Sequence, residues 1–325
     1  MFEWTVPVIG GLALIVGSGL TIYVDRRERL RDETCPRPVM YRFFSQAILA
    51  LHRWPHWIFV ATCNVVGPCV HATAVWQAAL VGSRCGSSGL PRDYDDDDDE
   101  YMYCSALARS LRRDGLLTAI CLYLDAWIPL GRPAVTHASH AVVAVGFFAF
   151  GTHYVYATIL MAKLLAAEHS DYANFDALVL GRATLFGIMI VAGAVIALTT
   201  SPAIDAHGRL LNHQFRGTAE SRMDHEEIAR CRRMEASMST AQMVLGIGLG
   251  VTLFTAVGDV VDLMDSADEM SDVPTTGGLV MFYGMACLAL LEYVFRDPIY
   301  LWCQAMLLRF RVPAQKREHP PTKTN

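Results

Sequence analysis

HAVVAVGFFAFGTHYVYATIL, residues 140–160, is apolar almost throughout, yet it opens on His140 and carries His153 near its middle. A spanning helix needs about 20 predominantly apolar residues, and this stretch supplies them. The two histidines then need a reason, because titratable groups in hydrocarbon are costly. The rest of the chain supports the membrane reading. It has 325 residues, of which 53% are hydrophobic and only 18% charged. Its mean hydropathy is +0.29. A soluble chain carries about a quarter charged residues. The charges also gather in a few polar segments and leave the apolar segments between them nearly bare.

Seven segments are long or apolar enough to be read as spans: Thr5–Val24, Ile58–Val81, Gly115–Leu130, His140–Leu164, Leu180–Thr200, Ala241–Val261 and Gly278–Phe295. The pattern predicts an all-α, polytopic transmembrane helix bundle of six or seven spans. One domain is expected over residues 1–308, with a basic cytosolic tail over 309–325. The third segment is short and ends beside Pro129. The sixth is rich in glycine and flanked by Asp259 and Asp262, so a re-entrant or surface segment stays open there. The first lacks a basic start and a small-residue cleavage pattern, which makes it a retained span rather than a signal peptide.

The polar segments carry little chemistry of their own. DYDDDDDE, residues 93–100, is self-repelling and has no calcium-loop spacing. It predicts a solvated acidic loop over 82–114, without a pattern of its own. Ser221–Met238 has the composition of a juxtamembrane helix. Its neighbours Asp224, His225, Glu226 and Glu227 would point in different directions on a helix, which argues against a metal site. Nine cysteines without CxxC argue against a disulfide framework or a structural metal. No nucleophile elbow, P-loop or GxGxxG is present, so no motif argues for an enzyme or a cofactor. The net charge of -5 and the lack of a basic stripe exclude nucleic acid as a partner.

Basic residues favour the cytosolic side. Arg26, Arg27, Arg29, Arg31, Arg37, Arg42 and Arg53 lie between the first two segments, and Arg209, Arg216, Arg222, Arg230, Arg232 and Arg233 between the fifth and sixth. The stretch 262–277 has five acids and no Lys or Arg. Seven spans would therefore put the N-terminus outside and the tail inside, and six spans with an inside N-terminus would also leave the tail inside.

Polar side chains within the spans are the candidate functional groups. Asn64 and His71 are seven residues apart, on one face of the second segment. Asp125 lies in the third, His140 and His153 in the fourth, and Glu292 in the seventh. His140, at the mouth of its span, is expected to meet a headgroup and still reach water. His153, about 20 Å further along at 1.5 Å per residue, is expected to stay neutral and pack against a neighbouring helix.

The fourth segment also resembles a span of the family that groups the Golgi post-GPI-attachment factor, yeast cell-wall proteins that remodel GPI lipid, and DRAM autophagy-linked proteins. His140, Ala144, Phe147, Phe148, Gly151 and Tyr154 carry that resemblance. MYRFFSQAILALHRWPHW supports it through Tyr41, Arg42, Phe43, Leu51, His52 and Pro55, and Leu291, Glu292 and Tyr293 support it in the last segment. Three features depart from the family. The serine- and glycine-containing motif of its first luminal loop is missing, and the chain has one apolar segment more than its six spans. The charge-derived outside N-terminus also conflicts with the inside N-terminus that the family implies.

The resemblance implies an endomembrane protein of the Golgi or endoplasmic reticulum, with plasma membrane or lysosome as alternatives. It would support lipid remodelling or maturation of GPI-anchored proteins by handling lipid. Its partners would be membrane lipids and GPI-anchored proteins, and Arg42, His52, His140, Tyr154 and Glu292 would meet the headgroup or substrate. The competing expectation is a receptor- or transporter-like seven-helix bundle with an outside N-terminus, in which Asn64, His71, Asp125 and His153 line one path.

Overall fold

The computed structural model describes residues 5–31, 54–86, 97–127, 134–168, 173–216 and 224–267. All of them except Asp224 are helical. The helices are α1 (Thr5–Arg31), α2 (Trp54–Gly86), α3 (Asp97–Trp127), α4 (Ala134–Glu168), α5 (Ala173–Arg216) and α6 (His225–Ala267). All six belong to one compact unit, residues 1–282. The protein is thus an all-α helical bundle, and five helices are long and apolar enough to cross a membrane: α1, α2, α4, α5 and α6. The segment Gly278–Phe295 and the tail lie outside the described residues.

Only helices can satisfy every backbone group inside hydrocarbon, so long apolar segments take this form. Close approaches at glycine fix how they pair. A Cβ on Gly10 would come within 2.6 Å of Cys69 Cβ, and one on Gly17 would strike Thr62, so α1 and α2 run antiparallel. A Cβ on Gly11 would come within 2.8 Å of the Gly250 carbonyl, and Gly10 meets Leu253 while Gly250 meets Ile15, so α1 runs antiparallel to α6. Gly115 abuts Ala74 and Gly67 meets the Ala119 backbone, which does the same for α2 and α3. Small residues let helix backbones approach where no hydrophobic force drives them together. The helices pack in chain order and α6 returns against α1. Helix α2 fills the centre: 72% of its apolar window is buried, against 17% for α5, which stands at the membrane-facing edge.

Three expectations change. The acidic region 82–114 is not a loop throughout, because α2 runs to Gly86 and α3 begins at Asp97, inside the acidic run. Acids in a first turn are favoured by the positive end of the helix dipole. Cys104, Leu107 and Leu111 give that half of α3 a buried apolar stripe. The repelling charges hid this stripe in the sequence. Next, the sixth segment is neither re-entrant nor broken by its glycines, since α6 is one 43-residue helix. It absorbs the expected juxtamembrane helix, and Asp224 caps it by accepting a 2.6 Å hydrogen bond from the Glu227 amide. The third segment, finally, is the inner half of α3, and α3 is not among the helices apolar enough to cross on composition alone. It carries Arg109, Arg112, Arg113 and Asp114 just before its apolar run.

The close approach at Gly11 is testable. Gly11→Val should destabilise the bundle by about 1–3 kcal/mol through overpacking against α6. Gly19→Val should be nearly silent, because nothing stands within 4 Å of a Cβ there. Thermal unfolding in detergent micelles compares the two directly.

Candidate functional site

The deepest polar group is Arg182, which is fully buried. Its Nε donates to Thr255 Oγ1 at 3.1 Å and its Nη1 to the Thr158 carbonyl at 3.0 Å. Its Nη2 donates to the Thr255 carbonyl at 2.9 Å and to Asp259 Oδ2 at 2.7 Å. The same Asp259 oxygen accepts Gln77 Nε2 at 2.7 Å, and Gln77 Oε1 accepts the Tyr154 hydroxyl at 2.6 Å. One continuous network therefore joins α2, α4, α5 and α6. Its polar atoms satisfy one another, so it reads as a clamp and not as a binding site.

A second cluster lies at the surface. Asp114 on α3 is almost wholly buried and meets His153 Nδ1 at 2.6 Å. It also accepts Arg113 Nε at 2.9 Å and Ser110 Oγ at 2.8 Å. Burial alone would raise the Asp114 carboxyl, but hydrogen bonds from Arg113, His153 and Ser110 outweigh it and hold the group below its ordinary value. Unlike Asp114, His153 and Arg113 are surface-exposed, with half or more of each side chain accessible. Arg113 Nη2 and His153 Nδ1 approach the same carboxylate oxygen, Oδ2.

His153 also stands at one end of a long groove between α4 and α5, closed at its back by Leu245 of α6. The groove encloses about 850 Å³ and is lined by Val145, Phe148, Tyr156, Phe186, Met189 and Ala197, among others. Ligand pockets fall in the range of about 300–1,000 Å³. From Val145 to Tyr156 the wall runs about 16 Å at 1.5 Å per residue. Apart from His153, Thr152 and the Tyr156 hydroxyl, its side chains are apolar. The shape and chemistry suit a hydrocarbon chain with a polar group at the His153 end.

The residues singled out in the sequence divide as follows. Arg42, His52 and Glu292 lie outside the described residues. Asp125 and His140 come together at 3.4 Å, an ion-pair contact across α3 and α4 that is too long for a hydrogen bond. His140 itself is 4% exposed, so it is packed rather than open to water. Tyr154 points inward to Gln77 while His153 points to Asp114, so adjacent residues serve different networks. His153 does reach a neighbouring helix, but through a carboxylate and from an exposed position. Asn64 Oδ1 and His71 Nδ1 are buried without a hydrogen-bond partner among the described residues. No cluster of His, Cys, Asp and Glu among the described residues could hold a metal.

Sequence reasoning missed Gln77, Asp114, Arg113, Arg182 and Asp259. Arg182 and Asp259 offered a signal, as an Arg and an Asp inside two different apolar segments. Asp114 sat one residue before the third segment and was counted as loop. Cys104 is disulfide-bonded. The cysteine spacing argued against a disulfide framework, and one bond leaves no spacing pattern in the sequence that would have shown it.

No family model, no curated protein and no solved structure matches the chain.

Two tests follow from the geometry. Arg182→Met should cost about 3–5 kcal/mol, because it strands a buried carboxylate, whereas the double change Arg182→Met with Asp259→Leu should recover most of the loss. Unfolding of the purified protein in micelles measures both. The Asp114 carboxyl, held low in the folded state, contributes stability that is present above the ordinary carboxylate value of about 3.9 and lost as pH falls through the lower folded value. Asp114→Asn should thus be less stable than the wild type at neutral pH and show a flatter stability profile between pH 5 and 2, at about the scale of those carboxylate values.

Proposed function

We propose that this is a multi-pass endomembrane protein that holds one lipid acyl chain in the α4–α5 groove and its phosphate-bearing headgroup at Arg113 and His153. In doing so it supports lipid remodelling or maturation of GPI-anchored proteins, in the Golgi or endoplasmic reticulum. The observation that carries the lipid part is the groove: some 850 Å³ of nearly apolar space ending at an ionic cluster. An acyl chain gains by leaving no void against Phe148, Phe186 and Met189. A phosphate gains a cation from exposed Arg113 and an imidazole from exposed His153 beside it. The GPI part, the organelle and the headgroup roles of Arg42, His52 and Glu292 rest on the sequence resemblance. No observation among the described residues gathers Asn64, His71, Asp125 and His153 into one path, so the polar path expected of a seven-helix receptor or transporter gains no support.

Gly193 lines the groove, and nothing stands within 4 Å of a Cβ added to it. Gly193→Leu should therefore fill the groove without strain. Gly181→Leu, also open but not among the groove-lining residues, is the matched control. A photoactivatable phosphatidylcholine in proteoliposomes should label α4 and α5 in the wild type and in Gly181→Leu. Labelling should fall at least fivefold in Gly193→Leu. Equal labelling of all three proteins would refute the groove as the lipid site. In cells lacking the protein, loss of surface retention of GPI-anchored proteins that wild type restores and Gly193→Leu does not would support the GPI part.

A further inference from the structure

We propose that the headgroup end of the groove opens on the leaflet that faces an oxidising compartment, the lumen or the cell exterior. The lipids it takes are then those of that leaflet. The nature of the ligand rests on the reading above, whereas the orientation stands on separate observations.

The first observation is Cys104. It is disulfide-bonded and buried near the start of α3. Disulfides form and persist on the oxidising side of membranes and are rare in the cytosol. The antiparallel contacts of Gly115 with Ala74 and of Gly67 with Ala119 put Cys104 level with the last turn of α2. That end of α2 and α3 therefore faces the oxidising compartment. Asp114 follows Cys104 by ten residues of helix, about 15 Å. His153 is level with Asp114, and exposed Arg112 and Arg113 occupy the same height on α3.

The direction of the groove follows from the pairing of α3 with α4. Asp114 meets His153, Cys121 meets Gly146, and Asp125 meets His140, so the two helices run antiparallel. Going from His153 to Val145 along α4 thus moves away from the disulfide end. The polar end of the groove is the end nearer the oxidising side, and the apolar wall runs inward from it.

The second observation is charge, and it is independent of the first. Helix α6 runs parallel to α2, because Gln77 meets Asp259 while Gly10 touches both Cys69 and Leu253. The disulfide end therefore also carries the C-terminal end of α6, with which the stretch 262–277 begins; that stretch holds five acids and no Lys or Arg. Asp97–Glu100, the helical part of the acidic run, begins α3 at the same end. The opposite end carries Arg26 and Arg27 of α1, Arg209 and Arg216 of α5, and Arg230, Arg232 and Arg233 of α6. Short basic connections stay cytosolic, so charge and disulfide give the same orientation. The N-terminus of α1 lies at the disulfide end, hence outside.

The experiment has two arms on the full chain. In microsomes, a glycosylation acceptor carried by an extension before Met1 should be modified, and one inserted within 217–223 should not. In sealed vesicles of known sidedness, photoactivatable phosphatidylcholine confined to one leaflet is then crosslinked. Probe in the luminal or exterior leaflet should label α4 and α5 at least fivefold more than probe in the cytosolic leaflet. Modification at 217–223 with an unmodified N-terminal extension overturns the orientation. Equal or stronger labelling from the cytosolic leaflet overturns the leaflet assignment even if the orientation holds. Absence of α4–α5 labelling from both leaflets, with the glycosylation pattern as expected, sinks the lipid reading and the leaflet assignment with it, and leaves the orientation standing.

Discussion

A guanidinium with no exposed surface, Arg182, holds a carboxylate at 2.7 Å inside a bundle of apolar helices. Everything else about the bundle is conditioned by that pair. Taking either charge out of water costs several kcal/mol, and removing one partner leaves the other stranded. The pair is tolerable only if every donor finds an acceptor. Arg182 meets this condition by reaching Thr158, Thr255 and Asp259 together, which are positions on two other helices. Asp259 then passes the constraint to Gln77, and Gln77 to Tyr154. A shift of one residue along any of the four helices would break a buried bond with no water to replace it. The clamp therefore fixes axial register, which hydrophobic packing among similar apolar side chains does poorly.

Two kinds of polar group result, and they differ in what they leave available. The clamp consumes its own hydrogen-bonding capacity. The Asp114 cluster does not: its carboxylate is buried, but Arg113 and His153 stay accessible around it. The buried acid positions two exposed cationic or potentially cationic groups at one spot. Polar groups fixed beside an apolar wall are the features on which the proposed lipid reading rests. Asp125 and His140 differ, since His140 is packed and neither lines the α4–α5 groove.

The bundle itself was legible from segment length and apolarity, because hydrocarbon thickness imposes both. Helix ends were legible where basic clusters marked them. Two things were not. Asp97–Asp114 looked like a solvated loop because like charges in sequence masked the spacing of Cys104, Leu107 and Leu111, which bury one face. The partners of Arg182 and Asp259 are 77 residues apart, and no local pattern couples positions at that distance. His140 and His153 were both visible as unusual residues, but which one packs depends on the rotation of α4 against α3. That rotation is set by Gly146 lying on Cys121 and by the Asp114 contact, neither of which a single segment reveals.

The clamp and the groove share α5, and this links stability to access. Helix α5 is the least buried of the apolar helices, and Arg182 pins one stretch of it to α4 and α6. Below that point a Cβ on Gly193, which lines the groove, would meet nothing within 4 Å, so contact across the groove is sparse there. A helix tied at one level and loosely packed at another can separate locally from its neighbour without loss of register. The tie lies beyond the His153 end of the groove, since Arg182 contacts Thr158 one turn past Tyr154. Opening would then widen the inward, apolar part while the rim, held by Asp114, kept its geometry. An acyl chain held there as proposed would meet a fixed polar rim and a more loosely packed wall.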